Sequence, residues 1–304
     1  MTWWQALILG IVEGLTEYLP VSSTGHLIIT AWLLGLDADP QIKEAVDSFN
    51  IVIQAGAIAA VAGLYWSRVK QMGKGLIGRD ADGRRLLTNL VVAFLPAAAM
   101  GPFLNDPIKA HLFAPWPVIG ALFVGAWLML AVAWNQKLIE RNATRDLDHV
   151  DWKIALLIGF GQCIAMWPGT SRSMMTIVAA LLLGMRARAA AEFSFLLGLI
   201  TLGAATCYDA YHGGEAIIQH IGITPLIVGF IAATISAALA VKWFVGFLTR
   251  HGLALFGWYR LGLALLLALL IVTGLMSGFG PEPAAETPAA DTPAASAPAT
   301  AVTD

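Results

Sequence analysis

Two carboxylates, two serines and a histidine fall within one run, Glu13-Gly-Leu-Thr-Glu17-Tyr-Leu-Pro20-Val-Ser22-Ser23-Thr24-Gly25-His26. Glu13 and Glu17 stand four apart, so a helix puts both on one face, where they repel unless something positive lies between them. Such a pair can hold a divalent cation through oxygen ligands, or keep one member protonated as a general acid. Ser22, Ser23, Thr24 and Gly25 supply hydroxyls and backbone N–H groups at an expected helix N-terminus, which favours an anion. His26 follows on the next turn, near enough to act as base, acid or nucleophile beside Ser23. Acids near a membrane interface often point at water, and a lone histidine is usually a satisfied buried residue. The company of acid, hydroxyl and imidazole shifts the reading toward a site.

A second run, Pro168-Gly-Thr170-Ser171-Arg172-Ser173, places an arginine with no acid within ten residues on either side. A guanidinium there needs an anionic partner, and its fork matches phosphate or carboxylate. Glu13 or Glu17 is the partner the chain itself can offer. The functional alternative, which we favour, is a phosphate bridging Arg172 and a cation held by the glutamates.

The surroundings of these groups are apolar. Hydrophobic residues make up 58% of the 304 and charged ones only 12%, against about 25% in ordinary soluble domains. Mean hydropathy is +0.73. Runs long enough for a ~30 Å hydrocarbon core recur at 49–66, 86–103, 116–134, 192–211, 223–247 and 259–279. An integral membrane protein follows, with no separate soluble domain and no nucleic-acid partner expected. Ionisable groups at membrane depth are costly and mark function. The first segment lacks the basic start and small-residue cleavage site of a signal peptide and is expected to be retained. Cys163 and Cys207 lie in apolar runs and give no disulfide or metal signal. Residues 281–304, rich in Pro, Ala and Thr, carry four acids and no base, and read as a disordered tail after a membrane domain spanning 1–280.

Orientation follows from Lys and Arg in the short loops. Residues 67–85 hold Arg68, Lys70, Lys74, Arg79, Arg84 and Arg85 and are placed inside, whereas 36–48 is acidic and falls outside. Residues 104–115 are then outside and 135–152 inside. The pair 153–167 and 174–185 is flanked by basic residues on both sides, so it dips in and returns. Residues 3–35, broken at Pro20–Gly25, do the same from outside. Broken helices at this depth are tolerable when buried in protein or lining a polar cavity. Six full crossings complete the chain. Pro20-Val-Ser22-Ser23 resembles Pro168-Gly-Thr170-Ser171, and Phe49-Asn50 resembles Phe193-Ser194, at offsets of 148 and 144. The expected fold is therefore an all-α polytopic membrane protein built as an inverted repeat, with halves near 1–135 and 150–280. Its two re-entrant hairpins would meet near the midplane.

These two motifs together with Gln162, the segment Phe49-Asn50-Ile-Val-Ile-Gln54-Ala-Gly56-Ala-Ile-Ala-Ala-Val, and Ala191-Glu192-Phe193-Ser194-Phe195-Leu-Leu resemble the bacterial undecaprenyl-diphosphate phosphatase family, also called the bacitracin-resistance family. The resemblance runs over about residues 3–279. It implies a metal-dependent inner-membrane enzyme that hydrolyses undecaprenyl diphosphate at the periplasmic side, recycling the carrier for peptidoglycan and conferring bacitracin resistance. By that resemblance Glu13 and Glu17 fall on the acidic motif that holds a divalent cation, Mg2+ or Ca2+, and Ser23 and His26 on the candidates for nucleophile or base. Arg172 falls on the phosphate-binding arginine. Ser22, Thr24, Gly25, Gln162, Thr170, Ser171 and Ser173 complete the expected phosphate-binding set. Ser173-Met174-Met175-Thr176 departs from the family's more usual Ser-Gly-Ala-Thr and makes this tip bulkier. The expected partners are the polyprenyl diphosphate lipid, the bilayer and a second copy of the chain in a homodimer. A transporter of the same lipid is the rival class, since it too needs phosphate-binding groups at midplane; transport has no use for the Ser23 and His26 pair.

Overall fold

The computed structural model describes residues 1–36 and 40–276. The proposed disordered tail, 281–304, and Asp37 and Asp39 of the acidic segment lie outside these. The chain opens with two short helices, α1 (Trp3–Thr16) and α2 (Ser23–Leu33). Next come α3 (Pro40–Leu64), α4 (Trp66–Leu76), α5 (Ala81–His111), α6 (Pro115–Trp134) and the short α7 (Gln136–Asn142). A second pair of short helices, α8 (Trp152–Ile164) and α9 (Arg172–Leu182), precedes α10 (Ala187–Ile221), α11 (Ile223–His251) and α12 (Ala254–Val272).

Five helices hold apolar stretches long enough to cross a membrane: Ala81–Leu104, Pro115–Trp134, Ala187–Tyr208, Ile223–His251 and Ala254–Val272. The sixth expected crossing, 49–66, falls on Ser48–Leu64, which is long and apolar enough only together with α4, into which it bends by 82° at Tyr65. The bend has a chemical reason. Helix α4 carries Arg68, Lys70 and Lys74, and Arg68 is drawn sideways to Glu192 at 2.9 Å and Asp148 at 3.4 Å. The protein is thus a multi-pass helical membrane protein. One expected loop is absent: α5 continues through Pro102 and Pro107 to His111, leaving only a short link before α6. Each proline gives up one backbone donor, a loss that membrane helices tolerate.

The short helices start at well-made caps. Thr2 and Gln5 form a capping box at α1, and Asp151 accepts from Lys153 and Ile154 N–H at α8, both at 2.9 Å. At ~1.5 Å per residue neither hairpin can cross a ~30 Å core. Their packing repeats across the molecule. Helix α1 lies on α11 as α8 lies on α5, α11 touches α3 as α5 touches α10, and α6 packs on its own counterpart α12. Gly10 brings α1 onto the backbone of Gly229, and Gly159, one repeat later, brings α8 onto the backbone of Ala93; a Cβ at either would collide with a carbonyl. An inverted repeat produces this set of pairings, with both hairpins inserted between long helices at the centre.

Candidate active site

Both hairpins turn at a serine in the left-handed region, Ser22 with φ 73° and Ser171 with φ 74°, the non-glycine residues with positive φ among those described. Such a backbone costs of order 1–3 kcal/mol and persists only where the surroundings over-determine it. Each serine is the N-cap of the following helix, α2 or α9. The structural repeat therefore pairs Ser22 with Ser171 and Ser23 with Arg172, one residue further than the offset of 148 read from the prolines. Gly169 and Thr170 separate Pro168 from its cap, where Val21 alone separates Pro20 from the other.

The tips meet. Ser173 Oγ donates to Leu19 O across the junction at 2.9 Å, and Trp167 Nε1 donates to Pro117 O at 3.1 Å. Between them lies a cavity of about 180 Å3, walled by Glu17, Ser22, Ser23, Thr24, Gln54, Ser171 and Arg172. Glu17 joins the two halves: Oε2 accepts from Ser23 Oγ at 2.8 Å, and Oε1 accepts from Arg172 Nη2 at 3.3 Å. The Arg172 and Glu17 side chains are only 10% and 8% exposed, so this pair is shielded from solvent. Arg172 Nη1 donates to Ser194 O at 2.9 Å, and the guanidinium lies 5.4 Å from the Tyr18 ring centre. Its Nε is buried without a partner.

Gly198 makes room for this arginine, since a Cβ there would sit 2.7 Å from Nη1 and 2.9 Å from Cζ. Gly198→Ala therefore displaces the guanidinium without altering a polar group. A drop of about 100-fold in turnover is expected, as an ångström of misplacement can cost that much. Steady-state kinetics on the purified variant would check it.

A second cavity, of about 260 Å3, adjoins the first through shared Ser23, Thr24 and Gln54. Its polar end holds Glu13 and Asn50; its remaining wall is apolar, including Leu27, Ile28, Ala31, Leu36 and Ile51. Glu13 Oε2 and Asn50 Oδ1 are both buried with no hydrogen-bond partner. Asn50 and Gln54 were quoted above only for resemblance. Their signal was available as two amides four apart on one face of an otherwise apolar run.

The other expected residues are placed as follows. His26 Nδ1 meets Ser22 O at 2.7 Å and Nε2 meets Tyr259 Oη at 2.6 Å, while Ser23 turns to Glu17. His26 borders a third, apolar cavity of about 600 Å3 with Leu15, Leu239, Trp243 and Tyr259. Gly25 faces Leu122 and Leu263 of α6 and α12. Gln162 is buried on α8, its Oε1 accepting from Thr201 at 3.2 Å and its Nε2 unpartnered. Thr170 N–H closes the tip turn onto Trp167 O at 3.1 Å. Ser171 Oγ lies 3.1 Å from Ser173 Oγ and caps α9 through Met174 N. One buried cation escaped sequence reading altogether: Arg260, wholly enclosed in α12.

Fold and site together define a membrane-embedded protein whose polar chamber, closed by a buried ion pair, sits where two broken helices meet. The sequence profile of the bacitracin resistance protein BacA family matches residues 6–266, and the chain belongs to that family. It is 45% identical to a protein named undecaprenyl-diphosphatase from Sorangium cellulosum, over 88% of this chain and 85% of that one. Proteins of the same name from Nitrosomonas europaea and Azotobacter vinelandii are 43% and 44% identical, covering 90% and 87% of this chain and 96% and 92% of theirs.

Proposed function

We infer that this chain hydrolyses undecaprenyl diphosphate to undecaprenyl phosphate and inorganic phosphate, in a bacterial inner membrane. The observation that carries the reading is the Ser23–Glu17–Arg172 contact at the hairpin junction: a hydroxyl, its proton acceptor and an anion-binding fork within one chamber. Arg172 exchanges Glu17 Oε1 for the terminal phosphoryl group while Ser194 O keeps its orientation. Ser23 Oγ attacks phosphorus as Glu17 Oε2 takes its proton, the bridging P–O bond breaks, and Glu17 passes that proton to the departing undecaprenyl phosphate. Water then cleaves the phosphoserine, giving one proton to Glu17 as it attacks, and Ser23 recovers its proton as phosphate leaves. His26, with both ring nitrogens engaged, is the less apt nucleophile of the two candidates.

The donors at the polar end suit a hard divalent cation such as Mg2+ or Ca2+. Glu13 Oε2 and Asn50 Oδ1 are oxygens left without partners, with Ser23 and Gln54 on the same wall. Among the described residues no cluster of three His, Cys, Asp or Glu exists, so substrate phosphates and water would complete the shell. Glu17 is committed to Ser23 and Arg172, which leaves Glu13 as the carboxylate to hold the ion. Bound there, the cation neutralises diphosphate charge.

The lipid's first isoprene units fit the apolar wall beyond, along Leu27, Ile28 and Ile51. That cavity also reaches Phe113 and Met276. Both follow the C-terminal ends of helices, α5 and α12, that the loop charges leave on the side opposite the Lys- and Arg-rich α4, which supports a chamber opening toward the periplasm.

Phosphate release from undecaprenyl diphosphate by the purified protein in detergent tests the reading. Release should stop with EDTA and return with Mg2+ or Ca2+. Glu13→Gln should need roughly 100-fold more cation for half-maximal rate, because one charged ligand is lost. A folded wild type that binds the lipid and releases no phosphate would favour transport instead.

A further inference from the structure

Helix α12 reaches both hairpin tips through two consecutive side chains. Tyr259 Oη lies 2.6 Å from His26 Nε2, with the two ring planes 3° apart, and His26 Nδ1 lies 2.7 Å from Ser22 O. Ser22 O can only accept, so Nδ1 carries the proton, and in the neutral ring Nε2 accepts from the tyrosine hydroxyl. Arg260 Nη2 donates to Gly169 O at 2.9 Å and to Ala121 O at 3.1 Å. Its Nε and Nη1 are buried with no partner, and no acid pairs with it among the described ion pairs. A buried guanidinium left so incompletely satisfied is expensive, and a leucine or methionine would fill the space at lower cost.

The two tip carbonyls that α12 reaches, Gly169 O directly from Arg260 and Ser22 O from Tyr259 through His26, both belong to turns with positive φ. Ser22 has φ 73°, and Gly169, at φ 92°, precedes the Ser171 cap by two residues. Those turns aim Ser23 and Arg172, the groups between which the phosphoryl group must sit.

We propose that Tyr259 and Arg260 form a clasp that holds the two hairpin tips in register. Tyr259 acts through His26 on Ser22 and hence Ser23; Arg260 acts through Gly169 on Arg172. His26 is then a positioning residue whose working atom is Nδ1. The proposal rests on the diphosphatase reading for its kinetic tests, and on hydrogen bonding alone for its spectroscopic one.

Asparagine places an amide N–H where histidine has Nδ1, whereas alanine supplies no donor. The expected order of kcat on undecaprenyl diphosphate is wild type, then His26→Asn within about 10-fold, then His26→Ala lower by about 100-fold or more. Tyr259→Phe should lower kcat about 10-fold with KM within two-fold, and should add nothing in the His26→Ala background. Arg260→Lys, able to reach only one carbonyl, should behave like Tyr259→Phe. If it fails to fold, Tyr259→Phe and the His26 pair decide. Equal loss in His26→Asn and His26→Ala would make His26 the proton carrier and overturn the clasp, as would additive effects of Tyr259→Phe and His26→Ala. Nitrogen-15 NMR of the imidazoles needs no turnover. An Nδ1–H ring at His26, assigned by its loss in His26→Asn and perturbed by Tyr259→Phe, supports the clasp, and an Nε2–H ring refutes it. A wild type without phosphatase activity would instead count against the diphosphatase reading, with the NMR result still judging the clasp.

Discussion

Arg172→Lys is expected to lower kcat/KM on undecaprenyl diphosphate by about 1,000-fold, equivalent to about 4 kcal/mol of lost transition-state stabilisation. Two nitrogens of Arg172 already have separate duties, Nη1 on Ser194 O and Nη2 on Glu17 Oε1. The first bond fixes the plane of the fork, and the second is the one a phosphoryl group takes over. Lysine has one nitrogen and no plane, so it must abandon Ser194 to reach phosphate or abandon phosphate to stay. The positive charge survives the change, so Glu17 is not left unbalanced and the fold should hold, which thermal unfolding of the purified variant would check. Activity within tenfold of wild type would mean that charge alone suffices and that the fork geometry described here is incidental.

Ser23→Ala should lower kcat by at least about 1,000-fold, and Glu17→Gln by a similar factor, with the double variant no worse than either. The reason is the 2.8 Å contact: Ser23 Oγ and Glu17 Oε2 work as one unit, and a glutamine side chain can still accept from Arg172 but cannot take a proton. A neutral denaturant quench during turnover, which preserves both phosphoserine and phosphohistidine, should trap phosphate on the peptide carrying Ser23 in the wild type and on no other residue. A trapped phosphohistidine at His26, or full additivity of the two variants, would transfer the attack away from Ser23.

Much of this site was legible in the sequence because its groups are so out of place. Glutamates, an imidazole and an arginine inside apolar runs announce themselves, and the partner the chain itself could offer Arg172, set beside the favoured phosphate bridge, is present as Glu17. Five of the six expected crossings were legible from hydropathy, and the sixth, at 49–66, falls on a helix that bends into α4. The direction of side chains was not. His26 lies one turn beyond Ser23, but the left-handed Ser22 sets the start of α2 so that the imidazole meets Ser22 O and Tyr259. Spacing along a helix carries no knowledge of the partner on α12. Arg260 escaped notice for the opposite reason: a single arginine near a helix start, beside Tyr259, reads as an interfacial anchor, and only tertiary packing encloses it. The one-residue shift between proline and cap in the two tips was likewise invisible, because it depends on where φ turns positive.

The two tips share a backbone and differ in every group that matters. Ser23 stands where the other half has Arg172, and Glu13, counted from the same caps, stands where it has Gln162. A chamber with true two-fold symmetry would present identical groups from both sides, and could not tell one end of an occupant from the other. A prenyl diphosphate is all polarity at one end and all grease at the other. On the proposed mechanism grip belongs to one half and attack to the other, so a symmetric frame becomes a polarised vise, in which the occupant fits in a single sense. Neither half could do the work as a pair of copies of itself.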